Sequence, residues 1–150
     1  MSDLMKKSKR VETIIKTTKA KLATEQITLT EIRSQKLDAV AKLKENQNKY
    51  LKGVDQLNEM RKNGDLRSLL ALERGLDSTK NRLFEDINRV NNREEEEKNQ
   101  IQVVVNIQSR LKSFEKLQEQ YILMKRKDDD LREQKRQDEI ASANSRKGRA

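Results

Sequence analysis

The sequence has no cysteine, histidine, proline or tryptophan, and only two tyrosines, two phenylalanines and four glycines in 150 residues. Without cysteine there is no disulfide framework and no thiolate metal site, which suits a reducing compartment. Without histidine the commonest metal ligand and the commonest general base are both missing, so the usual triads and zinc sites are excluded. A phosphate-cradling loop needs clustered glycines, and the nearest here, such as Gly53 and Gly64, are eleven residues apart. Apolar runs are short, Val103 to Val105 being typical. A membrane span needs roughly 20 apolar residues and a secretory signal about 7–15. The expectation is therefore a cytoplasmic chain with no direct membrane insertion, no cofactor, no metal and no enzymatic activity.

What is present is charge and helix-forming side chains. Of all residues 39% are charged and 33% hydrophobic, a balance that a disordered chain could share. Periodicity decides against disorder. Apolar residues recur at three-and-four spacing through Val11, Ile15, Thr18, Leu22, Leu29 and Ile32, then Leu37, Val40, Leu43, Gln47, Tyr50, Val54 and Leu57. A second series runs through Leu66, Leu69, Leu72, Leu76, Thr79, Leu83, Ile87 and Val90. It resumes with Ile101, Val104, Ile107, Leu111, Phe114, Leu117, Tyr121 and Met124. Such a narrow seam implies a helix supercoiled against a partner helix. Of Val103 to Val105, one or two residues must lie off the seam.

Between the series stands Lys62-Asn63-Gly64-Asp65. Asn and Gly tolerate the left-handed backbone that ends a helix, and Asp65 suits the cap of the next one. Folding back at Gly64 places residue i opposite residue 128 − i. The polar interruption at Arg33, Ser34, Gln35 and Lys36 then mirrors Asn92, Arg93, Glu94 and Glu95. The predicted fold is all-α, a long two-helix antiparallel coiled-coil hairpin with a C-terminal helical extension. It forms a single coiled-coil domain over 1–150, with helix one about 4–62, a turn at 63–65, helix two about 66–141 and a frayed tail at 142–150.

The net charge of +9 is unevenly placed. Residues 1–10 hold four cations against Asp3, and residues 125–150 hold nine cations against six acids, so the open end of the hairpin carries +6 of it. That end should attract an acidic partner. Nucleic acid is not the expected partner, because Asp128 to Asp130 interrupt the basic segment and aromatics for base stacking are too few. The carboxylate runs Glu94 to Glu97 and Asp128 to Asp130 read as solvated helix surface flanked by lysines, not as cation ligands.

The stretch Lys135-Arg136-Gln137-Asp138-Glu139-Ile140-Ala141, followed by Arg146 and Lys147, resembles the K-x-x-D-E-x-A tail of flagellar FliJ and its type III secretion counterparts of the YscO/SctO type. Val11 to Lys16 is similar to the basic, apolar opening of those proteins, and Gln47-Asn48-Lys49-Tyr50 to a tyrosine-bearing stretch before their turn. Asn46 stands where some members have another aromatic. The resemblance implies a stalk of a protein export apparatus, similar to the central coiled coil of rotary ATPases. Its open end would sit in the pore of a hexameric export ATPase, and its turn region would face a membrane export gate protein. Some members also bind secretion chaperones. Carried over by position, the ATPase-binding residues would be Lys6, Lys7, Lys9, Arg10, Lys125, Arg126, Arg132, Lys135 and Arg136. The gate-binding residues would be Tyr50, Leu51 and Leu72. The chain would be a monomer, associated peripherally with the apparatus at the inner membrane. The alternative reading is a structural coiled-coil adaptor or homo-oligomer outside secretion, in which each long helix pairs with another chain.

Overall fold

A computed structural model describes residues 3–148. Two α-helices account for them, α1 (Asp3–Asn63) and α2 (Leu66–Gly148), packed against each other as an antiparallel hairpin. Nothing in either segment breaks a helix, and Lys, Glu, Gln, Leu and Arg lose little rotamer freedom there. Threonine, a weaker helix former, is accommodated by local bonding. The hydroxyls of Thr18 and Thr79 donate to the carbonyls of Ile14 and Gly75 at 2.7 and 3.0 Å. Each satisfied hydroxyl leaves a methyl group for the interhelical seam.

The turn falls at Gly64 and Asp65, with Asn63 still in α1, and it forms by a different device. No described residue has a positive φ, so neither Asn63 nor Gly64 takes the left-handed conformation. The Gly64 N–H donates to the Met60 carbonyl at 2.6 Å. A Cβ at Gly64 would lie 2.6 Å from that same oxygen, so glycine is required for close approach rather than for dihedral freedom. Asp65 then caps α2. Its side-chain Oδ1 accepts from the Arg67 N–H at 3.4 Å, and its carbonyl accepts from the Leu69 N–H at 3.0 Å.

The packing forms two compact units, one of residues 24–104 and one of residues 1–23 with 105–150. In the 24–104 unit the residues withdrawn from solvent on α1 are Glu25, Leu29, Ile32, Lys36, Ala39, Leu43, Asn46, Tyr50, Gly53, Leu57 and Met60, with Thr28, Val40 and Val54 half-buried beside them. Those on α2 include Leu69, Leu72, Leu76, Thr79, Leu83, Asp86, Val90, Arg93, Glu97, Gln100 and Val104. Both sets keep strict three-and-four spacing, the mark of a two-stranded seam. A Cβ built on Gly53 would come within 2.5 Å of Leu76 Cδ2, so Leu76 fills the space that the missing side chain leaves. The numbers of these facing residues add to 129, one more than the mirror expected from the turn.

That single residue matters, because it turns each helix slightly about its axis. Ala39, Asn46 and Gly53 take the seam positions expected for Val40, Gln47 and Val54, while Val40 and Val54 stay half-buried and Gln47 is exposed. Leu37, Leu66, Ile87, Ile101 and Met124 were all expected in the seam and are exposed instead. Asp86, with 4% of its surface accessible, and half-buried Gln100 replace Ile87 and Ile101. The polar interruption is a real layer, though Ser34 and Gln35 face solvent and Glu97, not Glu94 or Glu95, is the acid that reaches across.

In the other unit, Leu4, Ser8, Val11, Ile15, Thr18 and Leu22 on α1 are covered along with Ile107, Leu111, Phe114, Gln118 and Tyr121 on α2. Val11, Ile15 and Ile107 are its most buried side chains. Val104 is buried while Val103 and Val105 are exposed, as the seam width demands. From Ile122 to Gly148 every residue is exposed, as for a single solvated helix. That helix does not end near 141. Residues 142–148, expected to fray, are helical, and 149 and 150 lie outside the described residues. The segment contains no breaker before Gly148, and Arg146 and Lys147 in the last turn complement the carbonyl end of the helix dipole.

Candidate functional site

The candidate ATPase-binding cations all belong to the unit of residues 1–23 and 105–150. Lys6, Lys7, Lys9 and Arg10 are exposed on the first turns of α1, and Lys125 and Arg126 are exposed on α2. Leu4, Ser8, Tyr121, Ile122, Lys125, Arg126 and Asp129 line one shallow cleft, so the structure brings the two basic segments together. Arg132 pairs with Asp128 at 3.2 Å along the helix, with both side chains largely in water, where such a pair contributes little. Farther along, Lys135, Asp138, Glu139, Ser142, Ala143 and Arg146 share one helix face. Lys135, Asp138 and Glu139 of the tail motif and the trailing Arg146 thus form a single stripe, set by the helical period.

The candidate gate residues belong to the other unit and are not equivalent. Leu51 is exposed, whereas Tyr50 and Leu72 are half-buried seam residues. Leu66 and Leu70 are exposed close to the turn and add to the apolar surface available there.

Sequence reasoning missed a two-sidedness in this unit. Lys42, Lys49, Arg82 and Arg89 each precede a seam residue, and they line one cleft with Glu45, Asn46, Glu85 and Asp86. Leu37, Leu51, Leu70, Phe84, Ile87 and Ile101 each follow a seam residue, and all are exposed. In an antiparallel pair of right-handed helices the preceding positions share one side and the following positions the other. One flank is therefore charged, with Glu31, Asp38, Glu45, Glu59, Glu85 and Glu96 among its cations, and the opposite flank is the more apolar. Phe84, 56% accessible, is the largest side chain given to solvent on the apolar flank, and such exposure of an aromatic is informative where apolar residues are scarce. The signal was present in the sequence as cations and leucines one position to either side of the heptad core.

No group of acidic residues among those described is arranged to hold a metal ion, and no described helix is long and apolar enough to cross a membrane. The candidate residues thus lie on the surface and in the seam of a helical scaffold. A model of the flagellar FliJ protein family matches residues 7–150. The chain belongs to that family. The match covers nearly the whole sequence, including both long seams, the turn and the basic tail, and the family is a stalk family of flagellar and type III export. No curated protein and no solved structure matches the chain.

Proposed function

We propose that the chain is the non-catalytic central stalk of a type III protein export apparatus. Its basic end enters and stimulates a hexameric export ATPase, its turn region contacts a membrane export gate protein, and its flanks receive secretion chaperones. It works in the cytoplasm, peripherally associated with the apparatus at the inner membrane. The observation that carries this reading is the convergence of Leu4, Ser8, Lys125 and Arg126 on one cleft, beside the exposed Lys6, Lys7, Lys9 and Arg10. A pore that receives such a surface presents carboxylates, and contacts of this kind are steered over distance, screened by salt and reversible. These are the properties a stalk needs in order to move within a ring without sticking in one pose.

The test is ATP turnover by the cognate export ATPase with and without the full chain. Wild type should raise turnover, less so as salt increases. Reversing charge at Lys6, Lys7, Arg132 and Arg136 together should abolish the stimulation while leaving helix content and the thermal melt unchanged, since exposed charges contribute little to stability. Undiminished stimulation by this variant would refute the reading. The exposed Phe84 and Ile87 favour a second reading, a coiled-coil adaptor that pairs through its apolar flank. Sedimentation showing a stable homo-oligomer would support it.

A further inference from the structure

The seam of the 24–104 unit contains more polar chemistry than a two-stranded pair needs for stability. Asn46 Nδ2 donates to Asp86 Oδ2 at 2.5 Å, and Asp86 is among the least accessible residues described. Lys36 Nζ and Arg33 Nε lie 3.6 and 3.9 Å from the Glu97 carboxylate. Gln100 Nε2 donates to both the Glu25 carbonyl, at 3.0 Å, and a Glu25 carboxylate oxygen, at 2.6 Å. All three groups cross between the helices. Leucine at the same positions would hold them together at least as well, because replacing a buried ionic or polar pair with well-packed apolar residues is often neutral or stabilising.

What apolar residues cannot do is choose a register. A heptad seam repeats every seven residues, so a slide of one heptad puts leucine and valine against equivalent partners. A slide of one heptad in one direction would move the Glu97 contacts from Arg33 and Lys36 to Val40 and Leu43. A slide in the other would move them to Gln26 and Leu29, neither of them a cation. Either way a partly buried carboxylate loses its cation. The same requirement discriminates against pairing with a second chain out of alignment.

We propose that Asn46–Asp86, Lys36/Arg33–Glu97 and Glu25–Gln100 form a register lock, which holds the chain as one hairpin in one alignment and disfavours slipped and intermolecular pairings. The lock is a property of this unit and stands whether or not the chain engages an ATPase.

The experiment uses the full chain, which has no native cysteine. Spin labels at Asn48→Cys and Asn99→Cys, both exposed positions of this unit, report the alignment as an electron–electron distance. A slip of one heptad changes it by about 10 Å. Wild type should give one peak and sediment as a monomer. The variant with Lys36→Leu, Asn46→Leu, Asp86→Leu and Glu97→Leu should melt no lower, yet give peaks separated by about 10 Å or a dimer. A single wild-type peak from a monomer would overturn the proposal. A second arm decides the matter if the leucine variant does not fold cooperatively. Lys36→Glu alone should broaden or split the peak, and Lys36→Glu with Glu97→Lys should restore it. One unaltered peak from the single variant would equally overturn the lock.

Discussion

The two units share helices, spacing and seam geometry, yet they differ in charge and in what fills the seam. Residues 1–23 and 105–150 hold nineteen cations and ten acids, hence the whole net +9, whereas residues 24–104 hold fifteen of each and are neutral. In the charged unit the most buried positions are Val11, Ile15 and Ile107, all apolar. In the neutral unit Asp86, Asn46, Lys36, Glu97, Gln100 and Glu25 occupy the seam, and large apolar side chains such as Leu37, Phe84 and Ile87 are displaced to the surface. A two-stranded coil has so little interior that seam and surface are neighbouring positions. Moving polarity by one residue therefore changes what the protein presents to partners as much as what holds it together. One unit has apolar residues at its most buried positions and its cations outside, as suits a long-range electrostatic contact. The other has done part of the reverse, as suits alignment and short-range contact.

This contrast can be broken or sharpened at single positions. The largest effect should come from Ile107→Ala, since Ile107 is 5% accessible. A loss of about 2–4 kcal/mol is expected in thermal or denaturant unfolding. Ile101→Ala, six residues earlier and 37% accessible, should cost clearly less. Equal losses would mean that the neutral unit buries Ile101 and not Gln100. At the turn, Gly64→Ala should cost about 1–3 kcal/mol because its Cβ meets a backbone oxygen that cannot yield. Smaller and opposite in sign, Gly75→Ala should stabilise by about 0.5–1 kcal/mol, because a Cβ there meets nothing and a helix-interior glycine is replaced. Gly53→Ala should gain less than Gly75→Ala, since the same propensity benefit is opposed by contact with Leu76. Parallel melts of the two glycine variants compare a seam position with a surface position in a single unit.

Much of this was legible in the residues. The turn around Gly64, the hairpin, the surplus valines around Val104 and the unpaired extension all follow from spacing and breakers. The phase of the neutral unit's seam did not. Reading for large apolar side chains favours Val40, Val54, Ile87 and Ile101, but the alignment is fixed jointly by both helices, and small residues at Ala39, Asn46 and Gly53 permit the closer fit. Asp86 and Gln100 enter the seam because each finds a partner on the other helix, and that pairing is invisible along one strand of sequence. The role of Gly64 was hidden for a similar reason. A left-handed residue and a crowded one both read as glycine. Among the candidate site residues, the exposed cations were identifiable from charge runs, while the different settings of Tyr50 and Leu51 depended on the final phase.

The most direct test of the division between a charged and a neutral unit is site-specific photo-cross-linking in the native cell, with a photoreactive residue placed at Arg132 or at Leu51. Both positions are exposed, so neither insertion should disturb the seam. The account predicts that the label at 132 captures the export ATPase and that the label at 51 captures the membrane export gate protein. Capture of the gate from 132 and of the ATPase from 51, or of the same partner from both, would contradict it.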